Sequence, residues 1–306
     1  ALKLPFLGSI PYFEEYGRPD PKRMGTKERA FGVIKDFFLK QRGAPQNNPI
    51  EVEPAEDAEK EKLPVEHQFV TISRPNTVVA ESLRTIRTRI MLHLINSERR
   101  VVMVTSACKG EGKTSLGVNL AVSLSQASQK TLLIEGDLRG AKVGTFFGVD
   151  CSTEGFSDYL AGKIENASDV IRSTVVDNLD IVHVGEIPEH PAELIGSPRL
   201  KKFFDSVSSE YDYVIIDAPP VLPVSDSLLL SQIVDSIIFV VRSKYTERAA
   251  AQEALRRLYA VDAEVMGMVL NDVMINSKGY SDEMFGSGSY YYGVEVGHQD
   301  RWSGAA

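Results

Sequence analysis

Apolar residues recur at three- and four-residue intervals from Val79 through Leu83, Ile86, Ile90 and Leu94. This spacing predicts an amphipathic helix with one buried stripe. Downstream come six short runs rich in β-branched residues: "RRVVMVTSA", "KTLLIEGD", "LDIVHVG", "YDYVIIDAPP", "DSIIFVVR" and "VMGMVLN". Helical stretches such as "TSLGVNLAVSLSQAS" and "RAAAQEALRRLYAV" separate them. Strands that are apolar at nearly every position are buried on both faces, and alternation with helices makes neighbouring strands parallel. The expected fold class is α/β, a doubly wound, mostly parallel sheet with helices on both faces.

The flanks lack such periods. Residues 1–76 carry prolines, a short apolar stretch "RAFGVIKDFFLK" and the charged run "EVEPAEDAEKEKLPVEH", and are expected to be a partly disordered linker with one helix. Residues 77–276 form the expected folded domain. Residues 277–306 hold Gly, Ser, Tyr and acids without an apolar period, and are expected to be a flexible tail containing Tyr280 and the run Tyr290, Tyr291 and Tyr292.

Composition narrows the function. A formal charge of -8 over 306 residues argues against a general nucleic-acid binder, so no nucleic-acid partner is expected. The two cysteines, Cys108 and Cys151, make no disulfide framework and have no metal-ligand spacing, which fits a reducing compartment. No apolar run approaches the length that spans a bilayer, and the chain starts at Ala1 without a signal-peptide pattern, as expected of a piece of something longer.

The chemistry starts where the first of the six strands runs into "SACKGEGKTSLGVNLA". Gly112, Lys113 and Thr114 match the end of G-x-x-x-x-G-K-[ST], with Ala107 in place of the first glycine. Gly110 and Gly112 allow backbone amides to turn toward phosphate oxygens, and the next helix presents its positive end to them. Gly110, Glu111, Gly112, Lys113, Thr114 and Ser115 are the expected ATP-binding stretch. Lys113 is placed for the β- and γ-phosphates and the Thr114 hydroxyl for Mg²⁺. The competing explanation is a glycine-rich turn with an incidental lysine. The strand before it and the helix after it weigh against that.

Two further strands end in acids. "YDYVIIDAPP" delivers Asp217 to the carboxyl edge of the sheet, where α/β ligands bind and where a carboxylate can hold Mg²⁺ and its water. A lone aspartate there can equally be a helix N-cap. "TLLIEGDLRG" delivers Glu135, Asp137 and Arg139. The two carboxylates can share the orienting of metal-bound water and the acceptance of a proton from an attacking hydroxyl, and Arg139 can answer phosphate or another carboxylate. Asn271 and Asp272 follow the last strand at the same edge, within reach of a nucleotide base. Tyr211, Tyr213, His183 and His190 are expected to be structural, and Cys108 a small, partly buried filler.

A phosphate loop followed by a hydrophobic-acid-x-D-x-R element and a hydrophobic-D-x-P-P element resembles the bacterial tyrosine kinases, the cytoplasmic domains of polysaccharide co-polymerases. That family shares its P-loop division with the partition and cell-division-site ATPases. "RPNTVVAESLRTIRTRI" and "GEIPEHPAELIGSPRLKKFF" resemble further segments of the family, and the likeness runs from about Ser73 to about Asn276, with the tyrosine-rich tail beyond it. Two positions depart. Glu135 stands where the family has Asp, moving the carboxylate by about 1.5 Å, and Lys109 lies one residue after the place where partition ATPases carry a second lysine.

The resemblance implies an ATP- and Mg²⁺-dependent protein-tyrosine autokinase. In it Lys113 neutralises the transferred phosphoryl group, Thr114, Asp217 and Asp137 serve the metal, and Asp137, with Glu135, orients or deprotonates the acceptor phenol. The acceptors are then Tyr280 and Tyr290 to Tyr292 of a neighbouring copy. Glu81, Arg84 and Arg87, spaced by three within a sector of about 120°, resemble the motif through which these kinases pack into a homo-oligomeric ring. An ordinary solvated face with local charge pairs is the alternative. The opening "LPFLGSIP" resembles the segment after the last transmembrane helix of the family. Together these imply a place at the cytoplasmic face of the inner membrane, with a co-polymerase membrane domain and a phosphotyrosine phosphatase as partners and polysaccharide export as the regulated process. Two other classes remain: an ATPase switch of the partition kind, with water as acceptor, and a non-catalytic ATP-binding scaffold.

Overall fold

The apolar runs form strands because their successive residues enter two different cores. A computed structural model of the chain describes residues 4–11, 69–150 and 152–273, all within one compact unit. The elements, in chain order, are β1 (Phe6–Pro11), α1 (Val70–Ser73), α2 (Val78–His93), β2 (Val101–Ser106), α3 (Lys113–Ser125), β3 (Thr131–Glu135), α4 (Val143–Phe146) and α5 (Phe156–Leu160). After a 3₁₀ turn at Ala167–Val170 come β4 (Arg172–Ser173), β5 (Leu179–Val182), α6 (Pro191–Ile195), α7 (Pro198–Val207), β6 (Tyr213–Asp217), α8 (Asp226–Leu230), β7 (Ser236–Arg242), α9 (Arg248–Tyr259) and β8 (Val265–Val273).

The strand order is β1-β8-β7-β2-β6-β3-β5-β4. Every neighbouring pair is parallel except the short β4, which runs antiparallel to β5. This is the expected doubly wound α/β class, of the P-loop NTPase type. Residues Val101, Met103, Leu132, Ile134, Val214, Ile216, Ile237 and Phe239 pack into one core with α5, α7 and α9. Its centre is Phe203, with edge-to-face rings of Phe156 at 4.9 Å and Tyr159 at 5.2 Å. The intervening residues Val102, Val104, Leu133, Ile215 and Ile238 are equally buried on the opposite face, where α3 lies against β2, β3 and β6.

The periodic stripe of α2 is buried as expected, and Thr77 caps the helix by accepting a hydrogen bond from the Ala80 amide at 3.2 Å. Two parts of the expected linker are instead built into the fold. Residues 6–11 are the edge strand β1, parallel to β8, and Arg89 of α2 donates to the Phe6 carbonyl at 2.5 Å. A proline is tolerated at its end because an edge strand needs no amide there. A Cβ on Gly267 would sit 2.6 Å from the Pro5 carbonyl, so glycine is what lets β1 approach β8. Phe69 is fully buried against Phe147, with ring centroids 5.0 Å apart, and the Val70 amide donates to Asn119 of α3 at 3.0 Å. Tyr280, Tyr290, Tyr291, Tyr292, Cys151 and the stretch "RAFGVIKDFFLK" lie outside the described residues. Among the described residues no helix is long and apolar enough to cross a membrane.

Candidate active site

The strand order brings the carboxyl ends of β2, β3, β6, β7 and β8 side by side, and the loops leaving them surround the N-terminus of α3. The loop after β2 bends through two left-handed glycines, Gly110 (φ +87°) and Gly112 (φ +92°). A side chain in either conformation is strained, and at Gly112 a Cβ would also collide with the Asn271 amide nitrogen. Directly after Gly112 the 13-residue α3 begins at Lys113, so its free amides and partial positive charge face the loop's concavity. Ser115 sits in the first turn and its carbonyl accepts from Asn119 at 2.9 Å.

Lys113 is nearly buried and lies between two carboxylates, its Nζ 3.0 Å from Asp137 Oδ2 and 3.8 Å from Asp217 Oδ1. Burial alone pulls the ammonium pKa down, but Asp217 and Asp137 outweigh it and the net shift is upward. Asp217, at the end of β6 and beside Val104 of β2, is the more deeply buried of the two. Burial raises its pKa, against the pull of Lys113 and of a hydrogen bond with Thr114. Its Oδ1 is buried without a hydrogen-bond partner. An orphaned carboxylate oxygen beside a threonine hydroxyl and under an amide-lined loop is a donor set that fits a hard cation bridged to phosphate.

Glu135, Asp137 and Arg139 divide differently from the expectation. Asp137 reaches the cluster. Glu135 does not use its carboxylate there: Oε1 accepts from the backbone amides of Lys142 and Val143, the latter at 2.6 Å, and Oε2 from that of Val184 at 3.3 Å. Burial raises its pKa. In this structure Glu135 ties the loop after β3 to the start of α4 and to the end of β5. Arg139, with phosphate or a carboxylate open to it, answers a carboxylate. Its Nε and Nη2 donate to the fully buried Asp226 at 3.0 and 3.3 Å, which raises its own pKa. Arg139→Ala therefore falls on stability. It is expected to cost about 1–3 kcal/mol in urea unfolding, the buried Asp226 being stranded while the half-exposed arginine is partly screened, with nucleotide affinity changing less than about threefold.

Asn271, expected near a base, lies instead against the phosphate loop, donating to the Glu111 carbonyl at 3.0 Å. The Glu111 side chain is fully buried, accepting from the Cys108 amide at 2.7 Å and from the Thr246 hydroxyl. Burial pushes the Cys108 thiol up, as suits a filler. Arg242, Tyr245 and Thr246, which also reach this loop, are not among the expected site residues. Their cue is that "RSKYTER" puts polar groups at the end of the apolar strand β7 and directly after it.

On α2, Glu81 pairs with Arg84 at 3.0 Å and Arg84 also donates to the Pro75 carbonyl at 2.8 Å. Arg87, expected at an interface between copies, turns into its own chain and donates to the Ser123 carbonyl near the end of α3 at 2.9 Å. Burial lowers its pKa. His183 is buried between Thr153 and the Gly185 amide, and Tyr211 donates to Asp180 at 2.8 Å, both structural as expected.

Residues 99–268 match the AAA domain family. The tyrosine-protein kinase YwqD of Bacillus subtilis (strain 168) is 33% identical over 207 residues, 68% of this chain and 86% of that protein. The tyrosine-protein kinase wzc of Salmonella typhi is 31% identical over 225 residues, 74% of this chain, but the match spans only 31% of that longer protein. The solved kinase domain of Escherichia coli tyrosine kinase ETK superposes with a TM-score of 0.69 at 26% identity, covering 95% of each chain.

Proposed function

The chain belongs to the bacterial tyrosine-protein kinase family, and from that premise we propose that it transfers the γ-phosphoryl group of ATP to its own tail tyrosines, Tyr280 and Tyr290 to Tyr292. The observation that carries this reading is Lys113, held between Asp137 and Asp217 at the mouth of a glycine-turned loop. The loop amides of Gly110, Glu111 and Gly112, with Lys113, Thr114 and Ser115, receive the phosphates. Thr114 and Asp217, with Asp137 at the second position, are the residues that would hold Mg²⁺, whose chemistry is to offset charge on the phosphoryl oxygens.

In the transfer the bond between the γ-phosphorus and the β,γ-bridging oxygen breaks and a phenol oxygen–phosphorus bond forms. The phenol proton passes to Asp137, and ADP leaves. Asp137 is assigned as the base because its carboxylate reaches the site, 3.0 Å from Lys113 Nζ, whereas both oxygens of Glu135 are occupied by backbone amides. Glu135 thus acts by holding the loop that carries Asp137.

The acceptor tail comes from a neighbouring copy in a homo-oligomeric ring in which Glu81 and Arg84 lie at the contact and Arg87 braces α2 on α3. Each phosphorylation adds about -1.5 to -2 charges to a chain already at -8, which loosens such an assembly, and a phosphotyrosine phosphatase restores it. The proposed setting is the cytoplasmic face of the bacterial inner membrane, next to a co-polymerase membrane domain, where assembly state controls polysaccharide export.

The test incubates the full chain with MgATP and locates phosphate by mass spectrometry, beside a chain truncated before Tyr280. Phosphotyrosine confined to residues 280–292, and absent from the truncated chain, is expected. Inorganic phosphate released without phosphotyrosine would replace the kinase by an ATPase switch, and bound ATP without turnover would leave only a scaffold.

A further inference from the structure

Three residues at or just beyond the carboxyl ends of β7 and β8 grip the outer side of the phosphate loop at three consecutive peptide groups. Tyr245 Oη donates to the Lys109 carbonyl at 3.1 Å, Arg242 Nη1 to the Gly110 carbonyl at 2.9 Å, and Asn271 Nδ2 to the Glu111 carbonyl at 3.0 Å. In a planar trans peptide the C=O and the following N–H point to opposite sides of the chain. Carbonyls 109, 110 and 111 drawn outward therefore turn the amides of Gly110, Glu111 and Gly112 the other way, into the concavity at the start of α3.

We propose that Arg242, Tyr245 and Asn271 are positioning residues for ATP, a clamp that holds the phosphate-binding amides in their bound orientation before the nucleotide arrives. This rests on the ATP-binding reading above. The loop needs such a clamp because Gly110 and Gly112 give it more backbone freedom than any other residue pair would, and freedom lost on binding weakens affinity. Removing that freedom in advance strengthens the nucleotide complex without touching the nucleotide.

The clamp is itself fixed. Arg242 Nε donates to Asp272 at 2.9 Å and the guanidinium lies 5.2 Å from the centre of the Tyr245 ring. Its backbone amide donates to Thr246 Oγ1 at 2.8 Å, and the same hydroxyl donates to Glu111. Asp272 takes a left-handed φ of +60°, uncommon for a residue other than glycine, where the chain turns next to Asn271. Arg242 thus bridges Gly110 and Asp272, so one side chain joins the phosphate loop to the end of β8. A lysine, with a single ammonium and no fork, cannot hold both partners in this geometry.

The experiment uses the full chain and two readouts. Equilibrium binding of MgATP is expected to weaken about tenfold in Arg242→Met and in Asn271→Leu and about threefold in Tyr245→Phe, with Arg242→Lys between Arg242→Met and the parent. In the nucleotide-free protein the NMR order parameters of the amides of residues 110–112 are expected to fall from about 0.85 to below about 0.6 in Arg242→Met, with β2 and β6 unchanged. Unaltered order parameters at 110–112 would overturn the clamp, and so would values that fall equally throughout the sheet, since that is the signature of general destabilisation. If the parent chain does not bind ATP, the functional reading fails. The order-parameter readout still decides the clamp, because it requires no nucleotide.

Discussion

Lys113→Met is expected to lower tail phosphorylation about 10²- to 10³-fold, the loss seen when a single preorganised charge-stabilising group is taken from a transition state, and to destabilise the fold as well. The second effect follows from the charge count at the site. With Lys113 present one cation faces Asp137 and Asp217; without it two carboxylates remain, one of them almost wholly buried. Stranding a buried partner typically costs about 3–5 kcal/mol. The cost depends on pH in a definite direction. Burial already raises the Asp217 pKa in the folded chain, and removing the lysine raises it further, so the folded variant holds a proton that the unfolded chain has released. Its stability is full below the ordinary carboxylate range and falls as pH rises through the raised value. Urea unfolding at pH 5 and pH 8 should show the larger penalty at pH 8. An equal penalty at both would place its origin elsewhere than Asp217.

Asp217→Asn is the complementary substitution, and its effects on activity and stability point in opposite directions. Losing the carboxylate that pairs with Lys113 and Thr114 is expected to reduce phosphotyrosine formation about 10²- to 10³-fold. Yet the site changes from one cation and two anions to one of each, Lys113 keeping Asp137 at 3.0 Å. A buried charge with an orphaned oxygen is replaced by a neutral group of the same shape. Stability at pH 8 is expected to rise by about 1 kcal/mol, roughly 2–4 °C in Tm. Because the parent loses stability as pH climbs through the raised Asp217 pKa, the two melting curves should converge toward pH 4 and separate toward pH 8. A variant less stable than the parent at pH 8 would mean that the ionised Asp217 stabilises the fold. Together the pair of substitutions separates the charge-balancing role of Lys113 from its role at the phosphates, since only one of them leaves the site with uncompensated charge.

Much of this site is legible in the order of residues alone. The six apolar runs, the amphipathic α2 and the glycine-lysine turn are local signals: residue spacing, strand burial and a backbone that only glycine adopts readily. Asp217 is legible for a related reason, because a continuous apolar strand ending in a carboxylate delivers that acid to the sheet edge regardless of which strands flank it. Asp137, two residues beyond the end of β3, follows the same rule.

What each polar side chain holds is not legible in the same way. Arg139 has phosphate or a carboxylate open to it, and the choice falls to Asp226, 87 residues later. Arg87 belongs by spacing to an exposed row but is drawn to the end of α3, and β1 has too few residues, with a glycine and a proline among them, to stand out from a linker.

The sequence by itself therefore determined the fold class, the glycine-lysine turn and the acids placed beside it at the sheet edge, because each is encoded within a few consecutive residues by periodicity, sterics or strand length. Only the tertiary structure decided that Glu135 braces the loop after β3, that Arg139 is held by Asp226, and that Arg242, Tyr245 and Asn271 hold a loop more than 130 positions away. The physical reason is that hydrogen bonds across a sheet edge depend on strand order. That order places β7 beside β2 and β8 beside β7, a consequence of how the whole chain buries its apolar faces and not of any one stretch of it.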